Sequence, residues 1–251
     1  MSLDKPLAGK VGIVTGVANK RSIAFGIAKA WHEAGAKLIF NYQGERLKDG
    51  VIKLVKENFG EDTPVCALDV SDDQSIADFF TFVSEHTDRV DMLLHAIAFA
   101  PKAEGTLEGH FSDIPRDAWN LSLQISAYSL IALSRAVAPM MTNGGSITAL
   151  TYYASQKVVP NYNLMAVSKA ALETSAKYLA FDLGRREAPI RVNCISAGPC
   201  RLSPPVACPV SPACSRYTRR RARCSAPARL RSSALRLPSW PATVQPASPV
   251  R

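Results

Sequence analysis

Three observations in the sequence predict an α/β fold built on a doubly wound parallel sheet. Short apolar runs bounded by turn residues alternate with longer segments of helical period up to about residue 198. The alternation is strict, so each strand is followed by a helical crossover, which makes the sheet parallel. The runs are almost continuously apolar, as strands covered on both faces must be.

VGIVT (11–15) is the first predicted strand, and the segment 22–34, opened by Ser22, the first helix. LIFNY (38–42) precedes a helix over 45–59, and VCALDV (65–70) one over 73–87. MLLHAIA (92–98) leads to a long helix over 117–141 and SITALT (146–151) to one over 162–183, before IRVNCIS (190–196) closes the pattern. In this Rossmann-like arrangement ligands are expected at the carboxyl ends of the strands.

The 251 residues are enough for one sizeable domain, expected over 1–199 and followed by a tail over 200–251. The texture changes at that point. Of residues 201–251, 38 are Arg, Pro, Ala, Ser or Cys, nine of them Pro, and none is Gly, which predicts a disordered segment. The formal charge of +9 belongs to the tail as well. Residues 200–251 hold ten Arg and no Lys, Asp or Glu, leaving 20 basic against 21 acidic side chains in the first 199. A charge so distributed argues against a basic nucleic-acid-binding or membrane-binding body.

No segment reaches the roughly 18 uninterrupted apolar residues of a membrane span. The N-terminal MSLDKPLAGKVGIVTG has no basic region leading into an apolar run, so a cytoplasmic protein is expected. Of the six cysteines, Cys66 and Cys194 lie in strand-like contexts, and Cys200, Cys208, Cys214 and Cys224 show neither C-x-x-C pairing nor a nearby histidine. Neither a metal site nor a disulfide framework is predicted.

The first strand ends in TGVANKRSIAFG. A dinucleotide-binding unit needs a glycine where main chain approaches the pyrophosphate, then a helix N-terminus whose N–H groups and dipole hold negative charge. Gly16, Ser22 and Gly26, at the turn and helix start, suit those roles, although the loop is longer than G-x-G-x-x-G. The plainer alternative is a loop glycine, a Ser cap and a packing glycine at Gly26. After the second strand, NYQGERL places Gln43 where an acidic residue usually meets the ribose. Arg46 and Lys48 suit a 2′-phosphate or, equally, a solvated helix face, and NADH is preferred over NADPH. Asp69 and Val70 close the third strand at the height of an adenine ring, with Asp69 as helix cap the alternative. HAIAFA (95–100) closes the fourth beneath the nicotinamide ribose.

TYYASQKVVPNYNLMAVSK follows the fifth strand. Tyr162 and Lys169 lie seven apart, two turns of helix and one face. A phenol beside an ammonium can stabilise charge developing on a substrate oxygen, while the ammonium also bonds a cofactor ribose.

The set TGVANKRSIAFG, YQ, LDV, HAIAFAP, YYASQKVVPNYNLMAVSK and RVNCISAGP closely resembles the bacterial NADH-dependent enoyl-acyl-carrier-protein reductases of the short-chain dehydrogenase/reductase superfamily. Most of that superfamily places Tyr four residues before Lys; here that position is Met165, and the spacing Tyr162, Met165, Lys169 is that of the enoyl reductases. The resemblance covers 1–199. It implies reduction of trans-2-enoyl thioesters on acyl carrier protein in fatty acid synthesis, by a homotetramer using NADH. By the same resemblance Tyr162 bonds the thioester carbonyl, Lys169 holds the nicotinamide ribose, and Tyr152 matches a second tyrosine described as a proton donor. Gly16, Ser22, Ile23, Gln43, Asp69, Val70 and Ile97 match cofactor contacts, and Ala100 a substrate contact. Tyr153 has no counterpart role, and Ala98 stands where many relatives have Gly.

After AGP the resemblance stops: Cys200, Arg201 and Leu202 replace a segment with a cofactor-binding Thr, and no lid or final strand follows. The composition is what GC-rich DNA yields out of register. Residues 239–251, SWPATVQPASPVR, written as degenerate codons and read from each third base, permit LASDGAAGVTGE, similar to the family's approach to its last strand. A shifted reading frame is therefore expected, together with poor solubility and weak activity. Two rival readings remain: an NADPH-dependent ketoacyl or other carbonyl reductase, and an inactive fold with a nucleic-acid-binding tail. The tail's only aromatics, Tyr217 and Trp240, make the second a poor fit.

Overall fold

The computed structural model of the chain describes residues 5–198. The predicted tail disorder lies outside the described residues. Among the described residues, six strands form one sheet: β1 (Val11–Val14), β2 (Lys37–Tyr42), β3 (Val65–Ala67), β4 (Met92–His95), β5 (Gly145–Thr151) and β6 (Ile190–Ser196). Their order is β3-β2-β1-β4-β5-β6, and every pair is parallel. The chain winds outward from β1 to β3, then crosses back to β4 beside β1. At that reversal two connections leave the sheet in opposite directions and open a crevice at the carboxyl ends of β1 and β4.

The helices are α1 (Ile23–Glu33), α2 (Glu45–Phe59), α3 (Asp73–His86), α4 (Arg116–Leu123), α5 (Ser129–Val137) and α6 (Asn163–Leu183). They cover the sheet in two layers. One core gathers Phe79, Leu130, Leu133 and Leu172 from α3, α5 and α6 against Ile13, Leu93 and Ile147 of the strands. The other packs Phe25, Ala28, Val51 and Phe59 of α1 and α2 against Val14, Phe40 and Leu94. Phe40 and Phe79 are wholly buried, each contributing about 1.5–3 kcal/mol by leaving water.

Local signals explain the boundaries. Ser22 caps α1, its hydroxyl accepting the Phe25 N–H at 3.3 Å. The positive φ of Gly60, 115°, a region open to glycine, lets the chain leave α2. Asp72 caps α3, its carboxylate accepting the N–H groups of Gln74 and Ser75, so the cap is Asp72 and not Asp69. The carboxylate of Asp69 instead accepts the N–H and hydroxyl of Ser71.

Three elements differ from expectation. The third strand stops at Ala67 instead of residue 70, because Asp69 N–H turns away to donate to Ser75 Oγ. The fourth stops at His95 instead of residue 98, where the Ala96 N–H turns to the Thr15 hydroxyl at 3.4 Å. The single helix expected over 117–141 is α4 and α5 joined by a wide π-type turn, Gln124–Tyr128, and ended by a 3₁₀ turn, Ala138–Met140. The whole stretch Arg116–Met140 is long and apolar enough to cross a membrane by composition, but 61% of its most apolar window is buried inside the protein. It is a core helix, packed on α3 and α6.

Candidate active site

Because the strands are parallel, their carboxyl ends share one edge, and each residue singled out in the sequence lies there or on the helix that follows. Gly16 leaves β1, Gln43 leaves β2, Asp69 and Val70 follow β3, Ile97 and Ala100 follow β4, and Tyr152 follows β5. The sheet thus gathers residues up to 153 positions apart in sequence, Gly16 and Lys169 being the extremes.

Gly16 is required twice over. Its φ is +82°, and a Cβ there would lie 2.2 Å from the carbonyl oxygen of Ala96. No side chain fits so close an approach. Beyond it Ser22 caps α1 while its own hydroxyl donates to Asn19 O at 2.8 Å, and Asn19 Oδ1 accepts the Arg21 N–H at 2.8 Å. The loop is thereby rigid up to the helix N-terminus, where Ile23 is the first helical residue. Gly26 is not a packing glycine: a Cβ there would meet nothing within 4 Å. A turn that excludes side chains, followed by a capped helix with a bare glycine on its first turns, fits a dinucleotide pyrophosphate.

Gln43 is exposed at the end of β2. Lys48 pairs with Glu45 one turn away, at 3.2 Å, and the bond and charge of Glu45 raise its pKa. Arg46 is exposed. Val70 is buried among core residues and Ile97 packs against the same cluster.

On the other side of the crevice Tyr162 is 6% exposed and Lys169 5%. Tyr162 stands one residue before α6, not within it, with φ −136° and ψ 23°. Its carbonyl nevertheless accepts the Ala166 N–H at 2.8 Å, so the helical spacing to Lys169 holds. Asn161, at φ 61°, delivers it in the left-handed region that Asn tolerates best among residues with a side chain. Lys169 Nζ donates to Leu150 O of β5 at 2.7 Å. The ring of Tyr152 lies 4.9 Å from that of Tyr162, tilted by 60°. Ala100 packs into the cluster of Tyr162, Met165, Val159 and Leu107, with Tyr152 beside it. Tyr153 is exposed, with Lys157 Nζ over its ring, and takes no place in that cluster.

Sequence reading missed a buried set of hydroxyls behind the site. Ser122, Ser126, Ser129 and Ser168 are wholly buried. Ser122 and Ser126 both donate to Phe99 O at 3.0 Å, and Phe99 N–H donates to Ser126 Oγ at 2.9 Å. Ser122 also bonds Ser168, the neighbour of Lys169, at 3.0 Å. The loop carrying Ile97 and Ala100 is therefore tied by side chains to the helix carrying Lys169. Ser129 donates to Ile125 O at 2.6 Å and meets His95 Nε2 at 2.7 Å. Its proton being spent on Ile125, it accepts from His95, which fixes that imidazole as the neutral Nε2–H form. Burial, and then the charge of Lys169, push the His95 pKa down to about 3. The one available signal was the run of serines in an otherwise apolar helix.

A Rossmann-type sheet with a glycine turn at its first strand and a buried Tyr–Lys pair after its fifth defines a nucleotide-dependent oxidoreductase of the short-chain class. A family profile described as enoyl-(acyl carrier protein) reductase matches residues 16–222. The NADH-dependent enoyl-[acyl-carrier-protein] reductase FabI of Bacillus subtilis is 49% identical over 195 residues, covering 78% of this chain and 74% of that protein. The FabI of Rickettsia typhi is 48% identical over 196 residues, covering 77% and 72%. Among solved structures, a Bacillus cereus enoyl-acyl carrier protein reductase with NADP+ and indole naphthyridinone superposes with a TM-score of 0.75 at 47% identity, covering 78% of this chain and 75% of that one. An Anaplasma phagocytophilum reductase in complex with NAD gives 0.73 at 42% identity, covering 79% and 74%. The chain belongs to the enoyl-(acyl carrier protein) reductase family.

Proposed function

We propose that this chain reduces the trans-2 double bond of enoyl thioesters carried on acyl carrier protein, using NADH, in fatty acid synthesis. The observation that carries the reading is the pair of buried polar side chains, Tyr162 and Lys169, at the start of α6, beside the Tyr152 ring and across the crevice from the Gly16 turn. Gly16, Ser22 and Ile23 would hold the pyrophosphate, Gln43, Asp69 and Val70 the adenosine, and Ile97 and Lys169 the nicotinamide ribose. When bound, NADH supplies the hydride that reaches carbon 3 of the acyl chain.

The Tyr162 hydroxyl donates to the thioester oxygen and stabilises the negative charge that gathers there. Lys169 is held by Leu150 O, so its charge is fixed in place and little reorganisation accompanies the reaction. Tyr152 stands as a second hydroxyl for proton delivery, and Ala100 lines the acyl side. The apolar wall of Met165, Val159 and Leu107 excludes water from the reacting carbons. NADH is preferred because the uncharged Gln43 follows β2 and Lys48, one of the two cations on the first turn of α2, is engaged by Glu45. A cytoplasmic homotetramer is the expected state, and the exposed Tyr178 and Phe181 of α6 supply apolar surface for a second copy. Nucleic acid and membrane have no part in this reading.

The altered tail is expected to leave this chain poorly soluble and weakly active. The test is NADH oxidation with crotonyl thioester, by this chain and by a version with the alternative frame restored. Turnover of roughly 1 to 10³ per second only in the restored version supports both statements. A normal rate in this chain overturns the impairment. Turnover of a 3-ketoacyl thioester with NADPH, and none of the enoyl thioester, overturns the assignment. Tyr162→Phe should lower kcat about 10²-fold with little change in KM for NADH.

A further inference from the structure

We infer that Glu173 is a positioning residue, whose carboxylate clamps the Tyr152 turn onto the helix that carries Lys169. This rests on the functional reading above for its catalytic meaning and on geometry alone for the clamp.

Glu173 is half-buried on α6, one turn beyond Lys169. A single oxygen, Oε1, accepts the hydroxyl of Thr151 at 2.7 Å and that of Ser155 at 2.6 Å. Those two residues bracket Tyr152: Thr151 ends β5, and Ser155 ends the short 3₁₀ turn Tyr153–Ser155. Lys169 grips the same segment one residue earlier, at Leu150 O. One face of α6 thus holds the strand end at three points, and Tyr152 is the first of the three residues, 152 to 154, that they enclose. Thr151 is in turn fixed to β6, its carbonyl accepting the Ala197 N–H at 3.2 Å.

Such an arrangement has a chemical reason. Tyr152 must present its ring against Tyr162 at 4.9 Å, yet it follows a strand end, where the chain would otherwise be loosely held. A carboxylate makes short, charge-assisted bonds to hydroxyls, stronger than neutral pairs. Two donors converging on one acceptor fix both ends of a turn with one side chain. Thr151 is also only 5% exposed, so its hydroxyl needs a partner.

Because both bonds end on Oε1, shape and charge can be separated: Glu173→Gln keeps a carbonyl oxygen there, whereas Glu173→Ala removes it. The experiment compares these two variants and Thr151→Val/Ser155→Ala with the unmodified full chain. Three quantities are measured: amide hydrogen exchange by mass spectrometry, NADH affinity by fluorescence, and turnover of crotonyl thioester. Glu173→Ala should speed exchange across 151–158 while leaving 163–183 protected, and should lower kcat about 10- to 100-fold at unchanged NADH affinity. The double variant should reproduce both effects, and Glu173→Gln should restore protection and most of kcat. Unchanged exchange over 151–158 in Glu173→Ala, or faster exchange throughout α6 with lost NADH affinity, overturns the clamp. Should the unmodified chain turn over nothing, the altered tail accounts for it and kcat is compared in the version with the alternative frame restored; no turnover there overturns the enoyl reductase reading, while the exchange pattern still decides the clamp.

Discussion

The two sides of the crevice are held by different means. On the β1 side the turn is set by main chain: Gly16 lies so close to Ala96 O that a side chain is excluded. On the β4 side the loop is set by side chains, with both polar groups of the Phe99 peptide satisfied by serine hydroxyls. Main-chain contact tolerates no substitution at its point of closest approach. A hydroxyl network spreads its dependence over several residues, so each replacement costs less.

The most damaging way to test that contrast is Gly16→Ala. A Cβ there meets backbone at 2.2 Å with φ at +82°, and strain plus overpacking should cost about 3 kcal/mol. Thermal melting should show the loss, and fluorescence titration a fall in NADH affinity. Ser126→Ala should cost less, about 2 kcal/mol, because it leaves the Phe99 N–H unpaired while Ser122 still serves the carbonyl. Its mark should be a raised KM for the acyl substrate with NADH affinity nearly intact.

Acid sharpens the comparison further. The folded His95 pKa, about 3, lies below its ordinary 6.5, so below pH 6.5 the unfolded chain binds a proton that the folded chain refuses. Stability is therefore full above pH 6.5 and declines as pH falls toward 3, by about 1.4 kcal/mol at pH 5.5. Chemical denaturation between pH 7 and 5 should show this slope, and His95→Asn should flatten it. The smallest effect is expected at β2. Glu45→Gln releases Lys48 and should improve NADPH use about twofold, read as the ratio of kcat/KM for the two cofactors.

The same contrast explains what could be read in the sequence. Gly16, the cap at Ser22, and the Tyr162–Lys169 spacing are each visible as a residue type at a fixed offset, and α2 begins and ends where its pattern does. The cap of α3 was not visible, since the sequence offers Asp69, Asp72 and Asp73 within one turn and only the fold chooses among them. The serines were missed because a hydroxyl in an apolar helix has no periodic signature. Their partners lie in other segments: the Phe99 main chain 23 and 27 positions away, and the side chains of His95 and Ser168, 34 and 46 away. The early ends of β3 and β4 have the same origin: apolar residues such as Val70 and Ile97 continue inward, while their backbone has left the sheet.

The wide turn at Gln124–Tyr128 acts as a one-residue insertion absorbed without a loop. It offsets the phase between Ser122 upstream and Ser129 downstream, so a helical wheel drawn through 116–137 as one cylinder assigns wrong faces to half its positions. Deleting a single residue there would make the winding regular, and the hydroxyls would then be out of register with the loop they grip.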